Sequence, residues 1–412
     1  MPAGDRFEDP VASWLIDEAW KLPGVAQVVQ GIAERFLATG LPLKRLNFIA
    51  TTLHPELIGR TYTWTRGAAT MDIVDATRAD AAGDAFAKSP LVPVFRDRVM
   101  IRRRLTGPKA RVDYPILERL RDEGGTDYVA LPVEFSGDHI SAVTVLSDHP
   151  DGFSRADLDR MDRLRPLFGR VVEVFELQTL SRNLLDTYVG RSAGARILNG
   201  EILRGSGETI NAAMLSCDLR DFTPLSDTLA RDTLIAVLNA FFERIAAAVD
   251  AHGGEVLKFM GDALLAIFPV APNGAPAAAC TAALAAVRDA MAALETLNAT
   301  RAEAAGGPLR YGFALHVGEV MYGNIGAKGR LDFTVIGPAV NVVSRLEGLA
   351  GDLGLPIVLS SAFAREVREP TVSVGRHALR GIKEQQEVFT TPDATLARAM
   401  NELWRDSGSL PA

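Results

Sequence analysis

Residues 153–189, FSRADLDRMDRLRPLFGRVVEVFELQTLSRNLLDTYV, constrain the chain more than any other stretch. Met161, Leu164, Phe168, Val171 and Phe175 recur at three- and four-residue steps, the spacing of one helix face. Leu177, Leu180 and Leu184 resume the stripe after a slip in register. Ser154 and Asp157 have the spacing of a capping box, and Pro166 should kink or divide the helix. Two readings are open: the stripe packs on its own domain, or it pairs two copies in a parallel coiled coil. GRSAGARILNGEILRGSGE (190–208) follows and reads, from its glycines, as a domain junction. A long helix and a junction at mid-chain divide 412 residues into two parts of ordinary domain size.

Before the helix, GVAQVVQGIAERFLATG (24–40) places Val25, Val28, Val29, Ile32 and Phe36 on one helical face, with Gly40 as the stop. RLNFIATTL (45–53) and GRTYTWTRG (59–67) read as strands. TDYVALPVEF (126–135) and HISAVTVLSD (139–148) read as a hairpin joined by SGD. After the helix, strand and helix alternate. INAAMLSC (210–217) is a strand and DTLIAVLNAFFERIAAAVDAHGG (232–254) a helix. EVLKFM and ALLAIF form a hairpin around Gly261 and Asp262, and a helix rich in alanine follows over 275–297. LRYGFALHVG and EVMYGNIG read as a pair of strands. DFTVI then leads through Gly337 into the helix AVNVVSRLEGLA. The pattern predicts an α+β chain whose C-terminal sheet is largely antiparallel.

Composition narrows the classes. The chain is 48% hydrophobic and 23% charged, as soluble proteins are. Its net charge of −7 argues against a nucleic-acid partner, because phosphate binding needs a basic face. Two cysteines, Cys217 and Cys280, argue against a disulfide framework and point to a cytoplasmic location. The opening MPAGDRFEDP has no apolar core of a signal peptide. APAAACTAALAAV (275–287) is ended by Arg288 and Asp289, short of the ~18–20 residues that a membrane span needs. No transmembrane segment is expected.

Asp218 ends a strand in LSCDLRDFT, and Asp262 sits in a hairpin turn. Both follow strand cores, so both can lie at one edge of the sheet and hold Mg²⁺ beside substrate phosphates. The plain alternative is two aspartates capping a helix or a turn. LRDFTPLSD opens a helix after Asp218, and its first residues, Phe222 and Thr223, offer backbone N–H groups to phosphate oxygens. Asn341 and Arg345 are four apart on one helix face, among apolar neighbours, so the face points inward or at a partner. An amide and a guanidinium there suit a phosphorane-like transition state. The plain alternative is a hydrogen bond at a subunit contact.

SCDLRDFT, GGEVLKFMGDALLAIF, LHVGEVMYGNIG and FTVIGPAVNVVSRLEGL together resemble the class III nucleotidyl cyclase catalytic domain, over roughly 205–392. The resemblance implies a ferredoxin-like palm sheet, ATP as substrate, and 3′,5′-cyclic AMP and pyrophosphate as products. It implies two Mg²⁺ per site, which Mn²⁺ can replace, on Asp218, Asp262 and the Leu219 carbonyl. It assigns Lys258 and Thr334 to the adenine, Asn341 to the ribose and Arg345 to the α-phosphate. It implies a homodimer with shared sites, in which one subunit brings the metals and the other brings the base-reading and transition-state residues. A lysine with a threonine suits adenine, whereas guanylate cyclases of this family usually carry an acid at the lysine position.

The match departs from the family twice. Asp221 stands where glycine is common and adds negative charge. In LRGIKEQQEVF, Ile382 replaces the usual triphosphate-binding lysine, leaving Lys383, Lys328 or Arg330 to supply that charge. The expected layout is a sensor domain over 1–152, a helical linker and junction over 153–207, the cyclase domain over 208–392 and a tail over 393–412. The sensor resembles a GAF domain in its helix–strand–hairpin–helix order. With both cysteines outside it, a thioether-linked bilin or a cysteine–flavin adduct is excluded. His54, His139 and His149 are candidate haem ligands whose plainer role is structural, and a small apolar ligand or simple dimerisation is equally open. The alternatives to an active adenylate cyclase are a catalytically weak nucleotide-binding dimer and a guanylate cyclase. A diguanylate cyclase is excluded, since its GGDEF-type turn is missing.

Overall fold

The structure, a computed structural model, describes residues 8–52, 57–301 and 307–394. The chain divides into two compact units, Met1–Leu184 and Leu185–Ala412.

The first unit opens with helices α1 (Pro10–Asp17) and α2 (Val25–Ala38). Strands β1 (Arg45–Thr51), β2 (Leu57–Thr65) and β3 (Asp72–Thr77) follow. Next come α3 (Arg78–Ala82), α4 (Asp84–Ala87), α5 (Leu91–Asp97), β4 (Ile101–Arg104) and α6 (Pro115–Asp122). The hairpin β5 (Asp127–Glu134) and β6 (Ile140–Ser147) precedes the long helix α7 (Arg155–Val189). The six strands form one antiparallel sheet in the order β3-β2-β1-β6-β5-β4. Both faces of β5 are covered. Val129, Leu131 and Val133 pack with α1, α2 and α7, while Tyr128 and Ala130 pack with Val94, Leu117 and Leu120 of α5 and α6. That explains why β5 reads as a continuous apolar run rather than an alternation.

The capping box at the start of α7 is present: Ser154 N donates to Asp157 Oδ2 at 2.8 Å, and Asp157 N donates to Ser154 Oγ at 3.1 Å. Pro166 does not divide the helix. Its missing N–H breaks one rung of the ladder, but Met161 and Leu164 before it and Phe168 and Val172 after it are all buried on the sheet. The slip in the stripe falls where burial ends. Phe175 is in the core, whereas Leu177 is 51% and Leu184 40% exposed.

The second unit contains α8 (Arg191–Leu198), within the stretch expected to be a junction. Ala193 of α8 is buried among Met214, Leu265 and Val335. Then come β7 (Gly207–Arg220), α9 (Phe222–Thr228), α10 (Arg231–Ala251), β8 (Glu255–Met260), β9 (Ala263–Pro269) and α11 (Pro276–Arg301). They are followed by β10 (Arg310–Ala327), β11 (Arg330–Ile336), α12 (Pro338–Asp352), β12 (Ile357–Ser360), α13 (Ser361–Glu366), β13 (Val372–His377) and β14 (Gln386–Thr390). The sheet order is β13-β14-β12-β10-β7-β9-β8, with β11 paired to β10. Among the described residues of this sheet only the β10–β12 pair is parallel. Strands β7 to β10, with α10 and α11 between them, make the βαββαβ order of the expected ferredoxin-like palm.

The two strands expected over LRYGFALHVG and EVMYGNIG are one continuous strand, β10, with unbroken register against β7 from Arg310↔Arg220 to Gly323↔Gly207. Gly318 marks a close approach rather than a turn: a Cβ there would stand 3.0 Å from Ala339 Cβ of α12. Helix α11 has the length and composition of a membrane span, yet Cys280, Ala283, Leu284 and Val287 pack with α10 residues in the unit's own core.

Candidate active site

The register of β7 and β9 pairs Asp218 with Ala263, the residue after Asp262. Leu219 N donates to the Asp262 carbonyl at 3.3 Å. The turn between β8 and β9 is closed by Gly261 at φ +69°, a conformation that costs a glycine little. These local facts bring the two carboxylates to one end of the sheet. The Asp218 carboxyl is pushed up to about 7, first by burial and then by the Glu347 and Asp262 carboxylates. One guanidinium opposes this crowd: Arg220 Nη1 donates to Asp218 Oδ2 at 3.2 Å and lies 2.7 Å from Glu347 Oε1.

Hard oxygen donors at a point of uncompensated negative charge are what a divalent cation takes. The donor set therefore fits Mg²⁺ or Mn²⁺, which Asp218 and Asp262 would hold. Among the described residues no cluster of three or more such donors supplies a closed, all-protein metal cage.

Lys258 and Thr334 come to one neighbourhood through a residue that sequence reasoning missed. Lys258 Nζ pairs with Asp332 Oδ2 at 2.9 Å, and Asp332 lies two positions from Thr334 on β11, hence on the same strand face. Thr334 is buried, and its hydroxyl has no hydrogen-bond partner among the described residues. An orphaned hydroxyl of this kind is costly unless something else completes it. Lys258 and Asp332 also line a groove of about 680 Å³ together with Glu255 and Arg191. Asp218 and Asp262 do not line that groove.

Asn341 and Arg345 stand one turn apart on α12, both exposed, while Val343 and Leu346 face the core. Of the two directions expected for this face, inward is ruled out within the chain. Among the described residues neither side chain has a polar partner. Phe222 and Thr223 open α9, directly after β7. Ile382 packs on the core, which is why an apolar residue stands there, and Lys383 next to it is exposed, as are Lys328 and Arg330 around the β10–β11 turn.

Asp221 lies in the left-handed region at φ +58° and pairs with Arg310 Nη1 at 2.7 Å. The backbone accounts for the glycine common at this position, and the ion pair offsets the added charge. Both cysteines are free and buried. In the first unit His139 lines a cavity of about 200 Å³ with Phe135, Glu173, Glu176, Leu177 and Leu180. His149 Nδ1 accepts the Asp151 N–H at 3.2 Å, and His54 lies outside the described residues.

Residues 206–390 match the family described as Adenylate and Guanylate cyclase catalytic domain. The chain is 33% identical over 154 residues to Adenylate cyclase 1 of Rhizobium meliloti, covering 37% of this chain and 23% of that protein. It is 30% identical over 198 residues to the adenylate cyclase of Anabaena cylindrica, covering 47% and 38%. The crystal structure of the adenylyl cyclase CyaB from P. aeruginosa is 25% identical with a TM-score of 0.42, covering 45% of this chain and 94% of that one. The chain thus spans well under half the length of these two curated relatives. Its residues 206–390 are a class III adenylate/guanylate cyclase catalytic domain.

Proposed function

We propose that the chain is an adenylate cyclase that converts ATP to 3′,5′-cyclic AMP and pyrophosphate at sites shared by a homodimer, under control of the first unit. The observation that carries this is the crowd of carboxylates at Asp218, Asp262 and Glu347 around a single arginine. When bound there, the divalent cations supply acidity to the ribose 3′-hydroxyl and charge neutralisation to the phosphates. By holding those cations, Asp218 and Asp262 would fix where the triphosphate lies. Asn341 orients the ribose, and Arg345 donates to the α-phosphate oxygens as charge gathers on them. The 3′-oxygen bonds to the α-phosphorus, the bond to the β-phosphate oxygen breaks, and the hydroxyl proton passes to solvent.

The outward face of Asn341 and Arg345 supports sharing, since among the described residues neither side chain has a polar partner. For the base, Lys258 donates to adenine N1 and the unpartnered Thr334 hydroxyl accepts from the exocyclic amine. Lys383 is the triphosphate cation closest to the family's pattern. The exposed Leu177 and Leu184 support pairing of the end of α7 with its copy, with the GAF-like first unit as sensor and its cavity as the seat of a small ligand. Buried free thiols are in keeping with a cytoplasmic location.

A guanylate cyclase is the second reading, and Asp332 is what favours it, because a carboxylate accepts from guanine N1–H and the 2-amino group. The test is to give the purified full chain ATP or GTP with Mg²⁺ or Mn²⁺ and to resolve the products by chromatography. Cyclic AMP formed in preference to cyclic GMP is the expected result. Cyclic GMP alone would replace the substrate, and neither product would leave a nucleotide-binding dimer.

A further inference from the structure

Arg220 has no role in the scheme above, yet its surroundings are built for it. It lies two residues beyond Asp218 on β7, so the two side chains leave the same face. Besides meeting Asp218 Oδ2 and Glu347 Oε1, its Nη2 donates to the Glu347 carbonyl at 2.8 Å. Glu347 belongs to α12, two residues after Arg345. Space is cleared on two sides: a Cβ on Gly312 would stand 2.2 Å from Arg220 Nη2, and one on Gly351 would stand 3.1 Å from Nη1. Gly312 is the strand partner of Asp218 itself. Only 18% of the Arg220 side chain and 16% of the Glu347 side chain are exposed.

We propose that Arg220 is a positioning residue that fastens α12 to the carboxylate end of β7, and so sets one half of each of two composite sites at once; this rests on the shared-site reading. A guanidinium is a planar fork with donors in several directions. One edge orients Asp218, which serves the site in which this chain brings the metals. The rest of the fork holds α12 through both the Glu347 carboxylate and the Glu347 carbonyl, and α12 carries Asn341 and Arg345 to the opposite site. A lysine keeps the charge but has no fork, so it cannot hold both ends in fixed geometry.

The two ends can be separated in a heterodimer. One chain carries Asp262→Ala and so brings only its α12; the other carries Arg345→Ala and so brings only its metal carboxylates. The two chains bear different tags, and the mixed dimer is purified through both. This dimer should be active on ATP with Mn²⁺. No activity despite proven exchange would overturn the shared-site reading and this inference with it.

Arg220→Lys is then added to one chain at a time. In the metal-bringing chain it should raise the half-saturating Mn²⁺, read both from activity and from bound Mn²⁺ by electron paramagnetic resonance, about tenfold and leave kcat at saturating Mn²⁺ nearly unchanged, the size usual for outer-shell partners of metal ligands. In the α12-bringing chain it should lower kcat about tenfold with the Mn²⁺ dependence unchanged. Glu347→Gln in the α12-bringing chain should repeat the second effect, and it serves as the readout if the lysine variant does not fold. An active mixed dimer in which both placements act alike, or neither acts, would reduce Arg220 to a packing contact and overturn the inference.

Discussion

Asp127 in the first unit and Asp218 in the second are both carboxylates on strands, and the chain treats them in opposite ways. Asp127 is fully buried and amply opposed: Arg102 Nη2 lies 2.7 Å and Arg104 Nη1 3.6 Å from Oδ2, and Phe153 N donates to the same oxygen at 3.0 Å. Asp218 shares one arginine with Glu347 and faces Asp262. A buried charge is tolerable when paired and hydrogen-bonded, and it is expensive when outnumbered. The first arrangement is complete without a visitor. The second is left short of positive charge with the Asp218 side chain 22% exposed, an arrangement that makes it a candidate for a site that takes its counter-charge from outside.

The comparison breaks most visibly on activity. Asp218→Asn should cut cyclic nucleotide formation by about 100-fold or more, the equivalent of the several kcal/mol that a catalytic metal supplies. The same change should not lower the melting temperature of the metal-free protein, because it removes a repelled charge. Near-normal turnover, or a marked loss of stability, would make Asp218 a structural residue like Asp127.

Asp127→Ala should do the reverse. It leaves two arginines and a backbone N–H without their acceptor, at a cost of about 3 kcal/mol; that is the low end for a broken buried pair, since both arginines stay partly exposed. Denaturant unfolding of the first unit should show it, while the Mn²⁺ dependence of activity stays as in the parent protein. A shift in Mn²⁺ dependence with stability intact would contradict the contrast.

A smaller effect sharpens the comparison through pH. With the Asp218 carboxyl at about 7, the folded metal-free protein holds a proton between roughly pH 4 and 7 that the unfolded chain has released. The folded state binds more protons there, so this group's contribution to stability falls as pH rises through that window. A bound cation must displace the proton. The half-saturating Mn²⁺ should therefore rise by up to about tenfold per unit as pH drops below 7. Titrations at pH 6, 7 and 8 would read it, and a flat response would argue against the raised carboxyl.

The smallest change expected is at Asp221→Gly. Relief of the left-handed backbone gains up to about 1 kcal/mol, and loss of the exposed Arg310 pair costs up to about the same. Melting temperature and turnover should both stay close to the parent values. A large fall in turnover would give Asp221 a role that its partner does not suggest.

The element pattern of both units was legible where periodicity was strong, as in α2, α7, α10 and the β8–β9 hairpin. It failed at β10, because a glycine in a strand reads as a break when it is in truth a gap left for α12. It also passed over α1, β3, α3, α4, α5, β4, α6, α8, β12, α13, β13 and β14, all short and without a sustained period. The carboxylates, Lys258 and the α12 pair were singled out through motifs. Arg220, Glu347 and Asp332 were not, because their contacts run across strands and helices far apart in sequence. The period-two relation of Asp218 to Arg220, and of Asp332 to Thr334, was the one local sign of them.

Counting bound Mn²⁺ tests the central claim most directly. With 3′-deoxy-ATP, which lacks the attacking hydroxyl, electron paramagnetic resonance at pH 8 can count Mn²⁺ held by the protein per bound nucleotide. Two are predicted for the parent chain, with a clear loss in Asp262→Asn although the fold persists. Equal Mn²⁺ binding in the parent and the variant would contradict the assignment of Asp218 and Asp262 as the holders of the catalytic cations.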